Sequence, residues 1–137
     1  MICTFFGHRD TPQEIELYLK PILIDLIENK NINTFYVGNQ GNFDKIVRKT
    51  LHQLKTDYPY INYTIVLAYL SPKIDDFTNT IFPEGLEQVP PKYAISKRNY
   101  WMIQNSDYVI CYVKHKIGGA AHFKEYAEKQ GKIVIEL

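Results

Sequence analysis

Residues 2–28 open on the apolar run Ile2-Cys3-Thr4-Phe5-Phe6, stop at Gly7, cross His8-Arg9-Asp10, and restart at Thr11-Pro12-Gln13-Glu14. Ile15, Leu19, Ile22, Leu23 and Leu26 then recur at the spacing of one helix face. A short β-type run, a glycine and a helix-period run make up the first half of a βαβ unit. Thr11 with Glu14 has the pattern of a capping box, with Pro12 at the first helical position. Pro21 should kink this helix or shift its start, because an interior proline loses a hydrogen bond and crowds the preceding turn.

The same alternation continues along the chain. Thr34 to Val37 is a second strand ending at Gly38; Phe43, Ile46, Val47, Leu51 and Leu54 then form a helical stripe that Tyr58-Pro59 closes. Ile61 to Leu70 is the third strand, and its Ile65-Val66-Leu67-Ala68 is apolar on both faces, as a strand covered by helices on both sides should be. Residues 71–93 carry Pro72, Pro83, Pro90 and Pro91 without a period, which predicts a long loop of the kind that closes over a ligand. A third helix is expected from Ala94 to Asn105 and a fourth strand from Asp107 to Val113. Gly118-Gly119 opens the fourth helix, Gly131 closes it, and Lys132 to Leu137 is the last strand. Residues 1–137 thus read as one α/β domain, a Rossmann-like doubly wound sheet of about five parallel strands with helices on both faces.

Composition narrows the function. Hydrophobic residues make up 45% and charged residues 23% of the chain, the balance of an ordinary soluble globular protein. A net charge of +1 does not supply the basic face that duplex nucleic acid calls for. No apolar run is long enough to span a bilayer, and the N-terminus lacks the basic segment of a secretory signal, so a cytoplasmic location without membrane partners is expected. Cys3 and Cys111 fall inside strand segments and are expected as buried thiols rather than a disulfide. The four histidines show no metal-ligand spacing with carboxylates, so no metal or cofactor is expected.

Ligands of open parallel sheets bind beyond the carboxyl ends of the strands, where strand order reverses. Three of those ends carry glycine: Gly7-His8-Arg9-Asp10, Gly38-Asn39-Gln40-Gly41 and Gly118-Gly119-Ala120-Ala121. Glycine permits close approach, and the helix that follows offers free N–H groups and a positive dipole end, which together suit a phosphate. Each turn has a plain alternative as a strand-to-helix connection. His8 and Arg9 are candidates to hold a phosphate or base, the alternative being a capping histidine and a surface arginine. Asp44 could hold a ribose hydroxyl or support its helix start. In the third helix Ile95, Arg98, Asn99 and Met102 fall on one face, so Arg98 points inward with the apolar anchors. An inward charge must be paired or must reach a ligand. Glu125 by itself reads as a solvated helix carboxylate.

Taken together, Gly7-His8-Arg9-Asp10, Tyr36-Val37-Gly38-Asn39-Gln40-Gly41-Asn42-Phe43-Asp44, Lys97-Arg98-Asn99 and Gly118-Gly119-Ala120-Ala121 resemble the SLOG superfamily, specifically its small stand-alone YspA-like members. That superfamily is Rossmann-like and includes the LOG phosphoribohydrolases, the DNA-processing protein DprA and sensor domains that bind nucleotide-derived signals. The resemblance implies a ligand of that class and leaves room for a homodimer. It places the LOG catalytic arginine on Arg98, the phosphate-holding glycines on Gly118 and Gly119, and the catalytic glutamate on Glu125. Ile117, Ala121 and His122 stand where the LOG loop has proline, a third glycine and threonine. Two functions follow as expectations. One is a non-catalytic module that senses, carries or sequesters a phosphate-bearing, nucleotide-derived small molecule through Gly7, His8, Arg9, Gly38, Asn39, Gly41, Asp44, Arg98, Asn99, Gly118, Gly119 and Ala120. The other is a hydrolase of the N-glycosidic bond of nucleoside 5′-monophosphates, with Arg98 and Glu125 stabilising an oxocarbenium-like transition state.

Overall fold

In a computed structural model of the chain, residues 1–70 and 79–137 are described. The strands β1 (Ile2–Phe6), β2 (Thr34–Val37), β3 (Asn62–Val66), β4 (Asn79–Ile81), β5 (Tyr108–Cys111) and β6 (Ile133–Glu136) form one parallel sheet in the order β4-β3-β2-β1-β5-β6. The helices are α1 (Ile15–Asn29), α2 (Gly41–Asp57), α3 (Pro91–Gln104) and α4 (Gly119–Lys129). The chain runs outward from β1 to β4, then returns to lay β5 and β6 on the other side of β1. The topological switch point therefore falls between β1 and β5.

Alternating residues of the central strands feed two cores. Phe5, Phe35, Val37 and Ile110 pack with Leu19, Leu23, Leu26 and Phe43, Val47, Leu51 of α1 and α2. Phe6, Val66, Val109 and Cys111 pack instead with Met102, Ile103, Phe123 and Ala127 of α3 and α4. A sheet buried on both faces is what a parallel arrangement requires. Cys3 and Cys111 are free and buried, and burial pushes both thiols up, Cys111 to about 11. Among the described residues no helix is long and apolar enough to cross a membrane.

The structure departs from the sequence reading at several places. Among the described residues the sheet has six strands, where about five were expected. The additional one, Asn79-Thr80-Ile81, lies within the stretch expected to be a loop. Three residues are too few to show an alternating period, and only pairing with Thr64–Val66 reveals the strand. The rest of that stretch holds a 3-10 turn at Leu86–Gln88 and the start of α3, with Pro91 at a first-turn position of the helix. Residues 71–78 of the closing loop expected over 71–93 lie outside the described residues. The strand expected over 61–70 ends at Val66, and the one expected over 107–113 at Cys111.

The capping box does not form. Thr11 Oγ1 donates to the His8 carbonyl at 2.6 Å, so α1 begins three residues after Pro12 with Glu14 at its N-cap. Pro21 lies inside α1, on its exposed side, where the missing hydrogen bond faces water.

Gly7 shows how closely the sheet end is packed. A Cβ there would sit 2.2 Å from Cγ of Phe43, which plugs the core beneath α2. Gly7→Ala is therefore expected to lower stability by about 1–3 kcal/mol through overpacking, without loss of secondary structure. Urea denaturation followed by circular dichroism measures this; an unchanged midpoint would show that the ring moves aside freely.

Candidate functional site

A cavity of about 330 Å³ opens at the switch point, within the size range of small-molecule sites. Its floor is the end of β1, from Phe5 to Arg9, and one wall is the inward face of α3, with Ile95, Arg98, Asn99 and Met102. Gln40 and Asp44 close it from α2; Gly119, Ala120 and Phe123 close it from α4. Phe6 and Phe123, stacked with ring centroids 5.4 Å apart, make its apolar side.

Arg98 is the largest polar group here and is only 2% exposed. Its Nη1 donates to the Val66 carbonyl at the end of β3 (2.9 Å), and its Nε to Asn99 Oδ1 (2.8 Å). A guanidinium has five N–H donors, so this geometry holds the fork in place and leaves capacity for a ligand anion. Burial lowers the Arg98 pKa, and the Asp44 charge opposes that. For Asp44 burial raises the carboxyl pKa, while the Gln40 N–H and the Arg98, Arg48 and Arg9 charges pull it down.

Arg98 and Asp44 are not an ion pair in contact: the salt bridges of the described residues are three others, Lys49–Glu16, Lys124–Glu136 and Lys129–Glu125. Gly38 lies between the two charges. A Cβ on it would be 2.5 Å from Asp44 Oδ2 and 3.2 Å from Arg98 Cζ. Arg98 is thus neither a plain structural ion pair nor a loose ligand arm. Backbone and Asn99 hold it, and a nearby buried carboxylate offsets its charge.

The three glycine turns have different roles. In the first, Gly7 makes room for Phe43, although its backbone still lines the cavity. In the second, Gly38 accommodates Asp44 and Arg98, and Gly41 adopts φ 83° with Arg9 Cα only 2.8 Å from where a Cβ would be. Two donors of this turn are already used. Gln40 N–H bonds to Asp44 Oδ2 (2.9 Å) and Asn42 N–H to the Arg9 carbonyl (2.9 Å). Asn39, Gly38 and Gly41 lie off the cavity wall, and Asn39 Oδ1 accepts from Gln40 Nε2.

The third turn has open space at both of its glycines. Gly118 has φ 116°, which favours glycine, and it caps α4 without a side-chain bond. Added Cβ atoms at Gly118 and Gly119 would meet nothing within 4 Å. Gly119 and Ala120, in the first turn of α4, line the cavity, and the first N–H groups of a helix have no partner within it.

His8, Arg9 and Glu125 complete the account. Arg9 is exposed and lines the rim. Glu125 is on the outer face of α4, 3.0 Å from Lys129, and lines a separate groove, so the structure does not bring it to Arg98. The sequence reading passed over Gln40, Ser96 and the Phe6–Phe123 wall; only Gln40 stood within a quoted motif, and nothing in the periodicity marked it. No protein-family model matches the chain, and comparison with curated proteins finds no match. The likeness to the SLOG superfamily rests on its quoted motifs.

His8 accepts the Lys114 N–H at Nε2 (2.7 Å), fastening the β5–α4 loop to the end of β1, with its ring edge-on to Tyr112 and His115. That bond requires a neutral ring. Burial, then the His115 charge, lowers the His8 pKa. A base with a depressed folded-state pKa contributes stability that is complete above the ordinary histidine value and is lost as pH falls through the depressed one. The Lys114 amide is accordingly expected to keep its protection and chemical shift at pH 7 and to lose both below the usual histidine range. Proton–nitrogen correlation spectra across that range test this, with His8→Phe as the variant in which the transition should be absent.

Proposed function

We propose that the cavity binds a phosphate-bearing nucleotide or nucleotide-derived small molecule, which the protein senses, carries or sequesters without converting it. The observation that carries this reading is the buried Arg98 fork, fixed by Val66 and Asn99 and lining the same cavity as the uncapped N-terminus of α4. Preorganised donors on rigid elements are what an anion site requires, because little conformational freedom is left to lose on binding. The apolar wall of Phe6, Phe123, Met102 and Ile95 suits the flat face of a base. Asp44, held towards Gln40, is positioned for a ribose hydroxyl rather than for a phosphate, which it would repel. The SLOG resemblance supports the same ligand class.

The hydrolase alternative, as the resemblance gives it, needs Glu125 beside Arg98. Glu125 is paired outside the cavity, which favours the binding reading and leaves Asp44 as the carboxylate that shares the cavity with Arg98.

Thermal unfolding in the presence of AMP, ADP-ribose or adenosine tests the proposal. The phosphorylated compounds should raise the transition, by about 2.7 kcal/mol of stabilisation at 100 times Kd, and adenosine should not. Equal shifts for adenosine would rule out a phosphate requirement. Free base appearing in the same mixtures would replace the binding reading by hydrolysis, with Asp44 as the carboxylate to substitute. Arg98→Ala should remove binding and also cost about 1–3 kcal/mol of stability, since the Val66 carbonyl loses a buried donor and the buried Asp44 a compensating charge. Arg98→Lys should recover part of the stability but not the affinity, because an ammonium cannot reproduce the fork. Calorimetric titration beside urea denaturation separates the two effects. Full affinity in Arg98→Ala would move the arginine from the site to the scaffold.

A further inference from the structure

We infer that β6 is a docking edge for a second copy of this chain, which adds antiparallel to it and joins the two sheets into one. β6 ends the sheet, and Ile133 on it is 52% exposed. The Ile133 N–H bonds to the Asp107 carbonyl and the Leu137 N–H to the Cys111 carbonyl, so alternate residues of the strand face β5. The backbone groups of Val134 and Glu136 consequently point outward, away from the sheet.

The sequence here is Lys132-Ile133-Val134-Ile135-Glu136, and it reads as its own complement when reversed. A two-fold axis at Val134 places Val134 opposite the partner's Val134, where the two exchange N–H···O bonds in both directions. At each end the outward Glu136 N–H reaches the partner's Lys132 carbonyl. The Lys132 N–H is not needed for this, as it already bonds to the Ala127 carbonyl. The same register sets each Lys132 side chain opposite the partner's Glu136, a carboxylate that already bonds Lys124 of its own chain at 2.8 Å. On the other face it covers exposed Ile133 with the partner's Ile135.

Backbone phase, charge and apolar contact thus agree on one register. A slip by one residue would point the bonding groups of one strand away from the other and set Lys132 against the partner's Ile135. A self-complementary patch about a two-fold axis is the form that a closed dimer interface takes. Terminal charges that deter indiscriminate strand addition become attractive only in this pairing.

Sedimentation equilibrium of the full chain from micromolar to millimolar concentration tests the inference. The expected result is a two-chain mass. Glu136→Lys, which sets lysine against lysine twice in the dimer, should raise the dimer dissociation constant at least about tenfold. The double swap Lys132→Glu with Glu136→Lys should restore it. Val134→Pro should also dissociate the dimer while keeping the fold, because its outward N–H has no partner among the described residues and proline is tolerated on such an edge. Circular dichroism checks that fold, and the charge swap serves as the test should the proline variant unfold. A one-chain mass throughout would overturn the inference and leave the edge to a strand of some other protein. A dimer indifferent to Glu136→Lys and to a folded Val134→Pro would equally overturn it.

Discussion

Arg98 enters the interior on the inward face of α3 and gives its Nη1 hydrogen to the Val66 carbonyl, where β3 ends. Placing a guanidinium at 2% exposure is costly unless its charge and donors are met. The surrounding chain is arranged to meet them. Asn99 takes the Nε hydrogen, Asp44 supplies negative charge from the first turn of α2, and Gly38 has no side chain to come between. Asp44 is itself secured by the Gln40 N–H at a helix N-terminus, where a carboxylate is favoured by the dipole. One cation therefore ties α3, β3, the β2–α2 turn and α2 together. The cavity exists where these elements stop short of β1 and α4.

That arrangement explains why three similar glycine turns differ in use. A glycine at a strand end can admit a ligand, a neighbouring side chain or an unusual backbone angle, and the local packing selects among them. Phe43 fills the space at Gly7, and the separate side chains of Asp44 and Arg98 fill the space at Gly38. Gly118 and Gly119 look onto open volume, with an uncapped helix behind them. The donors that border the cavity include the first turn of α4, Arg98 and, at the rim, Arg9, while His8 holds the α4 approach loop to β1 through the Lys114 N–H.

The two ends of the sheet also differ. β4 is three residues long, with Asn79 and Thr80 exposed, and offers little for another strand to pair with. β6 carries branched apolar residues between opposite charges and leaves Ile133 half exposed. No residue of β6 lines the cavity, so the proposed ligand binding and the inferred self-pairing can be altered separately.

The sequence by itself determined the α/β class, the parallel sheet, the four helices and the inward turn of Arg98. The helices and the turn of Arg98 rest on a helical repeat of apolar side chains, which is satisfied only by burying that face, and the strands on short apolar runs between them, buried on both faces. The glycine ends and the buried thiols were legible for the same local reasons. Tertiary structure alone decided the sixth strand, because three residues acquire a strand's hydrogen bonds only from a neighbour distant in sequence. It moved the start of α1 to Ile15, since the His8 carbonyl competes for the Thr11 hydroxyl. It separated Glu125 from Arg98 and put Gln40 in the cavity wall. Which residues of a helix or turn share one cavity depends on how the elements dock, and docking is settled by long-range packing such as Phe43 under Gly7, which no short stretch of sequence encodes.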